Sequence, residues 1–142
     1  MAPVEIILDL YMSGESWFPT PPAGFRSIVS LRLFEDLYVP SLLDTIQQLG
    51  PLFMWMPTAD IPVAPDKDKT IAVTRFIHSC VMLGFKTLVH CQAGHNRSGY
   101  MVAATLIRHF GYGPQSAIEL VQARIPGSLT NRVFVEALLR MG

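Results

Sequence analysis

The sequence has few cysteines, few charges and no long hydrophobic run. Of its 142 residues 15% are charged, and 11 Lys and Arg balance 11 Asp and Glu. This balance argues against a broad cationic surface for nucleic acid or an anionic membrane, although a local cationic pocket is still compatible with it. No apolar run reaches ~18 residues, so no transmembrane helix is predicted. Residues 1–5 lack the basic start of a signal peptide.

The two cysteines, Cys80 and Cys91, are too few for a disulfide scaffold, which favours a reducing cytoplasm. Half of the residues are hydrophobic, enough to bury a core. The length fits one domain over residues 1–142. Nothing in the sequence demands an oligomer, so we expect a monomer.

Short apolar runs and helical patterns alternate along the chain. The apolar runs predict strands over 5–11, 27–31, 52–56 and 86–90. Spacing and end signals predict helices over 41–49, 66–83, 98–110, 114–124 and 131–141. Prolines predict loops over 16–22 and 58–65. The alternation indicates an α/β fold with a mostly parallel central sheet of four or five strands, flanked by helices.

The most informative segment lies between a predicted strand and a predicted helix. It reads His90-Cys91-Gln92-Ala93-Gly94-His95-Asn96-Arg97-Ser98. A loop at a helix N-terminus directs backbone N–H groups at an anion, and a cysteine there is favoured as its nucleophilic thiolate. Arg97 can clamp two phosphate oxygens, Gly94 allows a tight turn, and Ser98 can donate a hydrogen bond to the sulfur.

These residues resemble the signature of the protein tyrosine phosphatase superfamily: His-Cys, five residues, then Arg-Ser. The length of the chain is similar to that of the compact dual-specificity enzymes in this superfamily. The C-terminal residues Arg124–Gly127, Asn131 and Phe134 are similar to the C-terminal pattern of those enzymes. Residues 11–14 and 28–31 resemble their N-terminal strands more weakly. The resemblance implies a metal-free, cofactor-free phosphatase with Cys91 as nucleophile. Residues 92–97 would be its phosphate-binding loop, holding phosphate or another oxyanion. Asn131 would support this loop, its alternative being an ordinary helix N-cap.

The resemblance also implies an aspartate general acid on a loop roughly 30 residues before the cysteine. Asp60 lies 31 positions before Cys91 and follows a predicted strand. Asp66 and Asp68 are alternatives, but they stand where Asp caps a helix. We prefer Asp60, which would protonate the leaving oxygen and then activate water against a phosphocysteine.

Other residues have plainer interpretations. His90 is expected to be a buried histidine whose hydrogen bonds order the loop, and Cys80 a core residue rather than a redox partner of Cys91. A zinc site at His90, Cys91 and His95 lacks a fourth ligand. Asn96 is expected to support a left-handed loop conformation. The scattered arginines are interpreted as solvated surface residues: Arg26, Arg32 and Arg132. The large aromatic residues are interpreted as packing residues: Trp17, Phe18 and Trp55.

The leading hypothesis is a protein phosphatase that acts on phosphotyrosine and also, in a shallow cleft, on phosphoserine or phosphothreonine. Residues 92–96 carry no lysine, which makes an inositol lipid a poorer substrate by comparison with the superfamily. A second hypothesis is an RNA 5′-phosphatase of the same superfamily, because Asn96-Arg97 is similar to the end of the loop in those enzymes. Ala93 stands where they usually carry His, and the balanced charge also argues against RNA, so no stable nucleic-acid partner is expected. A third hypothesis is a phosphoprotein-binding module without turnover.

Overall fold

The computed structural model describes residues 2–14, 24–33, 52–92 and 95–141. The helix predicted over 41–49, the loop predicted over 16–22 and the aromatic residues within that loop lie outside these ranges. The described strands are β1 (Val4–Ile7), β2 (Leu10–Ser13), β3 (Ser27–Ser30), β4 (Leu52–Trp55) and β5 (Thr87–His90). The described helices are α1 (Lys67–Met82), α2 (Asn96–His109), α3 (Pro114–Arg124) and α4 (Arg132–Leu139).

The five strands form one sheet in the order β1-β2-β5-β3-β4. β2, β5, β3 and β4 are parallel, and only β1 is antiparallel to its neighbour. The predicted α/β fold with a mostly parallel sheet is therefore confirmed. β5 is central, and all four of its residues are buried.

The register places the carboxyl ends of the parallel strands at one edge of the sheet. His90 is level with Ser13 of β2 and with Ser30 of β3, which in turn is level with Trp55 of β4. Loops that leave this edge are where open α/β sheets bind ligands. The segment after β5 is one of these loops.

The prediction of one strand over 5–11 was wrong. The structure has a hairpin there, in which Leu8 and Asp9 join β1 to the antiparallel β2. Asp9 has a φ of 69°, a left-handed conformation that Asp tolerates better than most residues. Leu8 is 78% exposed, so the apolar run that indicated a continuous strand includes a solvent-facing turn residue.

α2 lies at the centre of the helical layer and packs against α1, α3 and α4. It begins at Asn96, two residues before the predicted start, and every residue from Asn96 to Leu106 is buried. Gly99 allows a close approach at its beginning, because a Cβ there would lie 3.1 Å from Leu129 Cγ. No helix in the described ranges is both long enough and apolar enough to cross a bilayer.

Candidate active site

Cys91 directly follows β5 at the carboxyl edge of the sheet. Its side chain has no exposed surface, and its Sγ lies 3.2 Å from the Oγ of Ser98 in the first turn of α2. The sulfur is also 3.2 Å from the Gln92 carbonyl oxygen, to which the thiol can donate a hydrogen bond. The structure thus brings together the predicted nucleophile and the predicted hydroxyl partner. Ala93 and Gly94 lie outside the described residues.

Arg97 is held in the first turn of α2. Its guanidinium is buried and donates from Nη1 to the carbonyl oxygen of Thr58, 3.1 Å away. Its Nε is buried and has no hydrogen-bond partner within the described ranges. A buried donor without an acceptor costs about 1–3 kcal/mol, and a bound oxyanion would remove that cost. The arginine is therefore anchored at one nitrogen and still able to donate at another.

The first turn of α2 depends on an unusual conformation at His95. This residue precedes the helix with a φ of 52° and makes no side-chain cap. The expectation that Asn96 supports the left-handed turn is corrected: His95 adopts that conformation, and Asn96 is the first helical residue. Arg97 and Ser98 follow in the first turn of the helix, where the first backbone N–H groups have no acceptor within the helix and can bind an anion.

His90 is completely buried at the end of β5. Burial, together with the positive charges of Arg32 and Arg97, lowers the pKa of His90 from 6.5 to about 3. It is therefore neutral near pH 7, and the two guanidinium groups supply the positive charge close to this end of the strand. Arg32 is buried, so the interpretation of this arginine as solvated surface was wrong.

Asp60 lies in the loop after β4, and two amides hold its carboxylate. Asn96 Nδ2 donates to one oxygen at 3.0 Å, and Asn131 Nδ2 donates to the other at 2.9 Å. Asn131 also donates to the Ile61 carbonyl, at 2.9 Å. The loop that carries Asp60 is thereby tied to the first residue of α2, which is adjacent in sequence to Arg97.

Asp66 is differently placed. Its Oδ1 accepts a hydrogen bond from the Lys69 backbone N–H at 3.0 Å, as the N-cap of α1. This is the alternative role that the sequence indicated for Asp66. Of the two carboxylates, the structure links Asp60 to the loop segment and gives Asp66 a local helix-capping contact.

Asn96 and Asn131 form a small network behind the loop. Asn96 Oδ1 accepts from the backbone N–H groups of Thr130 and Asn131, at 2.7 and 3.0 Å. Asn131 Oδ1 accepts from the backbone N–H groups of Val133 and Phe134 in the first turn of α4, as its N-cap. Asn131 is therefore the N-cap of α4, which the sequence offered as its alternative role. Its side-chain amide binds the Asp60 loop, and only its backbone N–H contacts the predicted phosphate-binding loop, at Asn96.

Sequence reasoning missed three residues at this site. Arg32 could have been found because it follows β3, a neighbour of the cysteine-bearing strand. Thr58 takes part through its backbone carbonyl, and Thr130 through its backbone N–H and hydroxyl. Backbone groups carry no signal of their own in the residue types, so the contacts of the Thr58 carbonyl and the Thr130 N–H could not be read from the sequence.

Cys80 is buried in α1, and both thiols are free. His90, Cys91 and His95 do not form a metal cluster: within the ranges described, no three or more His, Cys, Asp or Glu side chains are grouped to hold an ion. A cavity of about 140 Å³ lies beside the Asp60 loop, and Thr58, Ile61, Val63 and Lys69 are among its lining residues.

A strand-end cysteine with a hydroxyl partner and an anchored arginine in the following helix are the groups that a cysteine-dependent phosphatase of the protein tyrosine phosphatase superfamily requires. The family model for the dual specificity phosphatase catalytic domain matches residues 36–142. The chain belongs to that family, and the prediction of a protein-tyrosine or dual-specificity phosphatase is confirmed.

The relatives support this assignment. The putative tyrosine phosphatase 123R of Invertebrate iridescent virus 6 is 28% identical over 97% of this chain and 90% of that protein. Phosphatidylglycerophosphate phosphatase PTPMT2 of Arabidopsis thaliana is 34% identical, over 83% of this chain but only 52% of that protein. Human dual specificity protein phosphatase 15 is 33% identical over 63% of this chain and 30% of its own length.

Solved structures agree with the fold. Tk-PTP in its active form has a TM-score of 0.79 and 26% identity, covering 98% of this chain and 95% of that one. The human tyrosine phosphatase-like serine/threonine/tyrosine-interacting protein has the same TM-score and identity, over 97% of this chain and 93% of its own. Both share the architecture over nearly their whole length.

Proposed function

We propose that the chain hydrolyses phosphotyrosine, and also phosphoserine or phosphothreonine, in phosphorylated proteins through a phosphocysteine intermediate. The observation that carries this proposal is the contact of Cys91 Sγ with Ser98 Oγ, 3.2 Å apart at the carboxyl end of the central strand. The reaction requires a nucleophile, a hydroxyl partner for it and an arginine that binds phosphate. Here the hydroxyl and the arginine are in the same helical turn, beside the cysteine.

In the first step, the Cys91 thiolate attacks phosphorus while the bond to the leaving oxygen breaks. Arg97 and the N–H groups at the start of α2 bind the equatorial oxygens and stabilise the charge that develops on them. Asp60 donates its proton to the leaving oxygen. The substrate hydroxyl departs, and the phosphoryl group remains on sulfur.

In the second step, the Asp60 carboxylate takes a proton from water, and the water oxygen attacks phosphorus. The sulfur leaves as a thiolate, and a hydrogen bond from the Ser98 hydroxyl stabilises its negative charge. Phosphate is released and Asp60 is protonated again for the next turnover. All the groups in this cycle come from one chain, which supports a monomer, and the cycle uses no cofactor.

We further propose that residues 1–142 form one catalytic domain, because β1, β2 and β3 lie in the same sheet as the cysteine-bearing β5. The two free thiols support a reducing cytoplasmic setting. The zero formal net charge supports neither a stable nucleic-acid partner nor electrostatic attachment to an anionic membrane.

The test is hydrolysis of p-nitrophenyl phosphate and of a phosphotyrosine peptide, in EDTA and reductant, by the wild type and by Cys91→Ser. We expect Cys91→Ser to lose turnover almost completely, because a serine hydroxyl is a far weaker nucleophile than a thiolate. Rapid acid quenching of the wild type should trap phosphoprotein. Turnover that survives in Cys91→Ser would exclude the mechanism.

A phospholipid monoester is a second candidate substrate. A relative with 34% identity is named a phosphatidylglycerophosphate phosphatase, and two apolar side chains near Asp60, Ile61 and Val63, are 50% and 61% exposed. The same pair of proteins should therefore be assayed on dispersed phosphatidylglycerophosphate. A higher kcat/KM on the lipid than on the phosphopeptide would reassign the substrate. Binding of the phosphopeptide without turnover in the wild type would favour a binding module.

A further inference from the structure

A second cavity lies on the helical side of the molecule. It has a volume of about 350 Å³, within the roughly 300–1,000 Å³ typical of small-molecule sites. It is formed where the beginning of α1 and the residues before it meet the second turn and the end of α2 and the end of α4. Arg108 is 11 residues beyond Arg97 on α2, which corresponds to about 16 Å along the helix axis. Tyr100 lines the cavity closer to Arg97, but no described residue of the phosphate-binding loop is among the lining residues, so the cavity is distinct from that loop.

The charged side chains that line this cavity are all cationic. They are Lys67 of α1, Arg108 of α2 and Arg140, which directly follows α4, and no acidic side chain of the described residues lines the cavity. In a chain with zero formal net charge, three cations around one cavity are a local concentration of positive potential. Such a cavity attracts an anion.

Two buried polar residues, Thr70 and Tyr100, line the cavity. Tyr100 and Thr70 are both buried, and the Tyr100 hydroxyl lies 3.5 Å from Thr70 Oγ1. Burial raises the pKa of Tyr100, while the Thr70 contact and the charges of Arg108 and Arg140 oppose that rise. Both guanidinium groups therefore act on the same buried hydroxyl. The remaining wall is apolar and includes Pro65, Ala137 and Met141.

We infer that this cavity binds a small organic phosphate, with its phosphate group on Arg108 and Arg140 and its apolar part against the wall formed by Pro65, Ala137 and Met141. Arginine forks match phosphate oxygens in two-point hydrogen bonds. Ala64 and Pro65 line both this cavity and the smaller one beside the Asp60 loop. A ligand here would contact the same chain segment that leads from Asp60 to α1.

The test is a titration of the isotopically labelled Cys91→Ser protein with phenylphosphonate, followed by amide NMR. The ligand will also occupy the phosphate loop, but the two sites report on different amides: Lys67, Ala137 and Arg140 for the cavity, and Arg97 and Ser98 for the loop. We expect both groups to shift. Arg108→Gln and Arg140→Gln, singly, should each weaken binding at the cavity by about tenfold or more, since each removes a charged hydrogen-bond donor.

Arg124→Gln is the matched control, because it makes the same charge change at an exposed position on α3 outside the cavity. It should leave both affinities unchanged. Shifts of the loop amides confirm that each variant is folded. The inference is overturned if the cavity amides do not move at about 10 mM phenylphosphonate. It is also overturned if both arginine variants bind there as tightly as the control. Neither result bears on the proposed catalytic cycle, which the Cys91→Ser assay tests separately.

Discussion

At the residue scale, the two aspartates illustrate how position decides the role of a carboxylate. Asp60 and Asp66 are six positions apart, and both precede Cys91 at a distance that a mobile acid loop could span. Asp66 accepts a backbone N–H of its own helix. Asp60 accepts side-chain amides from two segments remote in sequence, Asn96 and Asn131. Long-range contacts fix the geometry of a loop relative to a distant nucleophile, which a local cap does not.

We predict that Asp60→Asn lowers kcat by about 100-fold or more on phenyl phosphate, and by less on p-nitrophenyl phosphate. The poorer leaving group of phenyl phosphate depends more on protonation, so the difference between the substrates identifies the general acid. Asp66→Asn is the matched control. Since Asn caps helices about as well as Asp, it should leave both activities and the unfolding free energy near those of the wild type. A substrate-dependent loss in Asp66→Asn instead would transfer the acid role to Asp66.

At the element scale, the end of the α3–α4 connection carries a coupling that the sequence did not reveal. Asn131 begins α4 with its side-chain oxygen and binds the Asp60 loop with its side-chain nitrogen. One side-chain amide therefore stabilises the beginning of α4 through its oxygen and holds the proposed general acid, Asp60, through its nitrogen. A substitution that keeps the helix cap but removes the contact with Asp60 can separate these two effects.

We predict that Asn131→Ala loses about 1 kcal/mol of unfolding free energy, because α4 loses its N-cap. Asn131→Ser should retain most of that stability, since Ser is an equally good cap, but its short hydroxyl cannot replace both amide donors. Both variants should lower kcat several-fold with little change in KM. Urea unfolding and steady-state kinetics on phenyl phosphate measure the two effects. Wild-type kcat in Asn131→Ser would show that Asn131 acts only as a cap.

Much of the architecture could be predicted because it depends on local patterns. The helix α3 begins and ends as predicted, and the loop motif predicted the strand and helix around it. The β1–β2 hairpin was missed because its turn consists of an apolar residue and an aspartate rather than a glycine pair. The early start of α2 follows the left-handed conformation of His95, which no residue-type signal in the sequence indicated.

The candidate site also has a part that local sequence patterns predicted and a part that they did not. The contact between Cys91 and Ser98 could be predicted from their spacing, because both belong to one short segment between a strand and a helix. The anchoring of Arg97 on Thr58 and the burial of Arg32 depend on how β3 and β4 lie beside β5. Spacing within one segment does not contain that information, since it arises from strand order.

At the scale of the whole molecule, zero formal net charge coexists with strong local potentials. Arg32 and Arg97 act on the buried end of β5, while Lys67, Arg108 and Arg140 line a separate cavity. A buried neutral histidine lies beneath the first of these positive regions. This arrangement suits an anion, but it makes protonation of the histidine costly and links the stability of the whole fold to pH.

We predict that the protein becomes less stable in mild acid. The pKa of His90 is about 3 in the folded protein and near 6.5 in the unfolded chain, so between these values the unfolded chain binds more protons. Stability therefore falls as pH decreases through this window, by about 2 kcal/mol at pH 5 from His90 alone. Lowered pKa values of the partly buried His95 and His109 act in the same direction. Urea unfolding at about pH 7 and pH 5 measures this loss, and His90→Gln should reduce it. An unchanged pH dependence in a folded His90→Gln protein would show that the histidine is not the group that titrates.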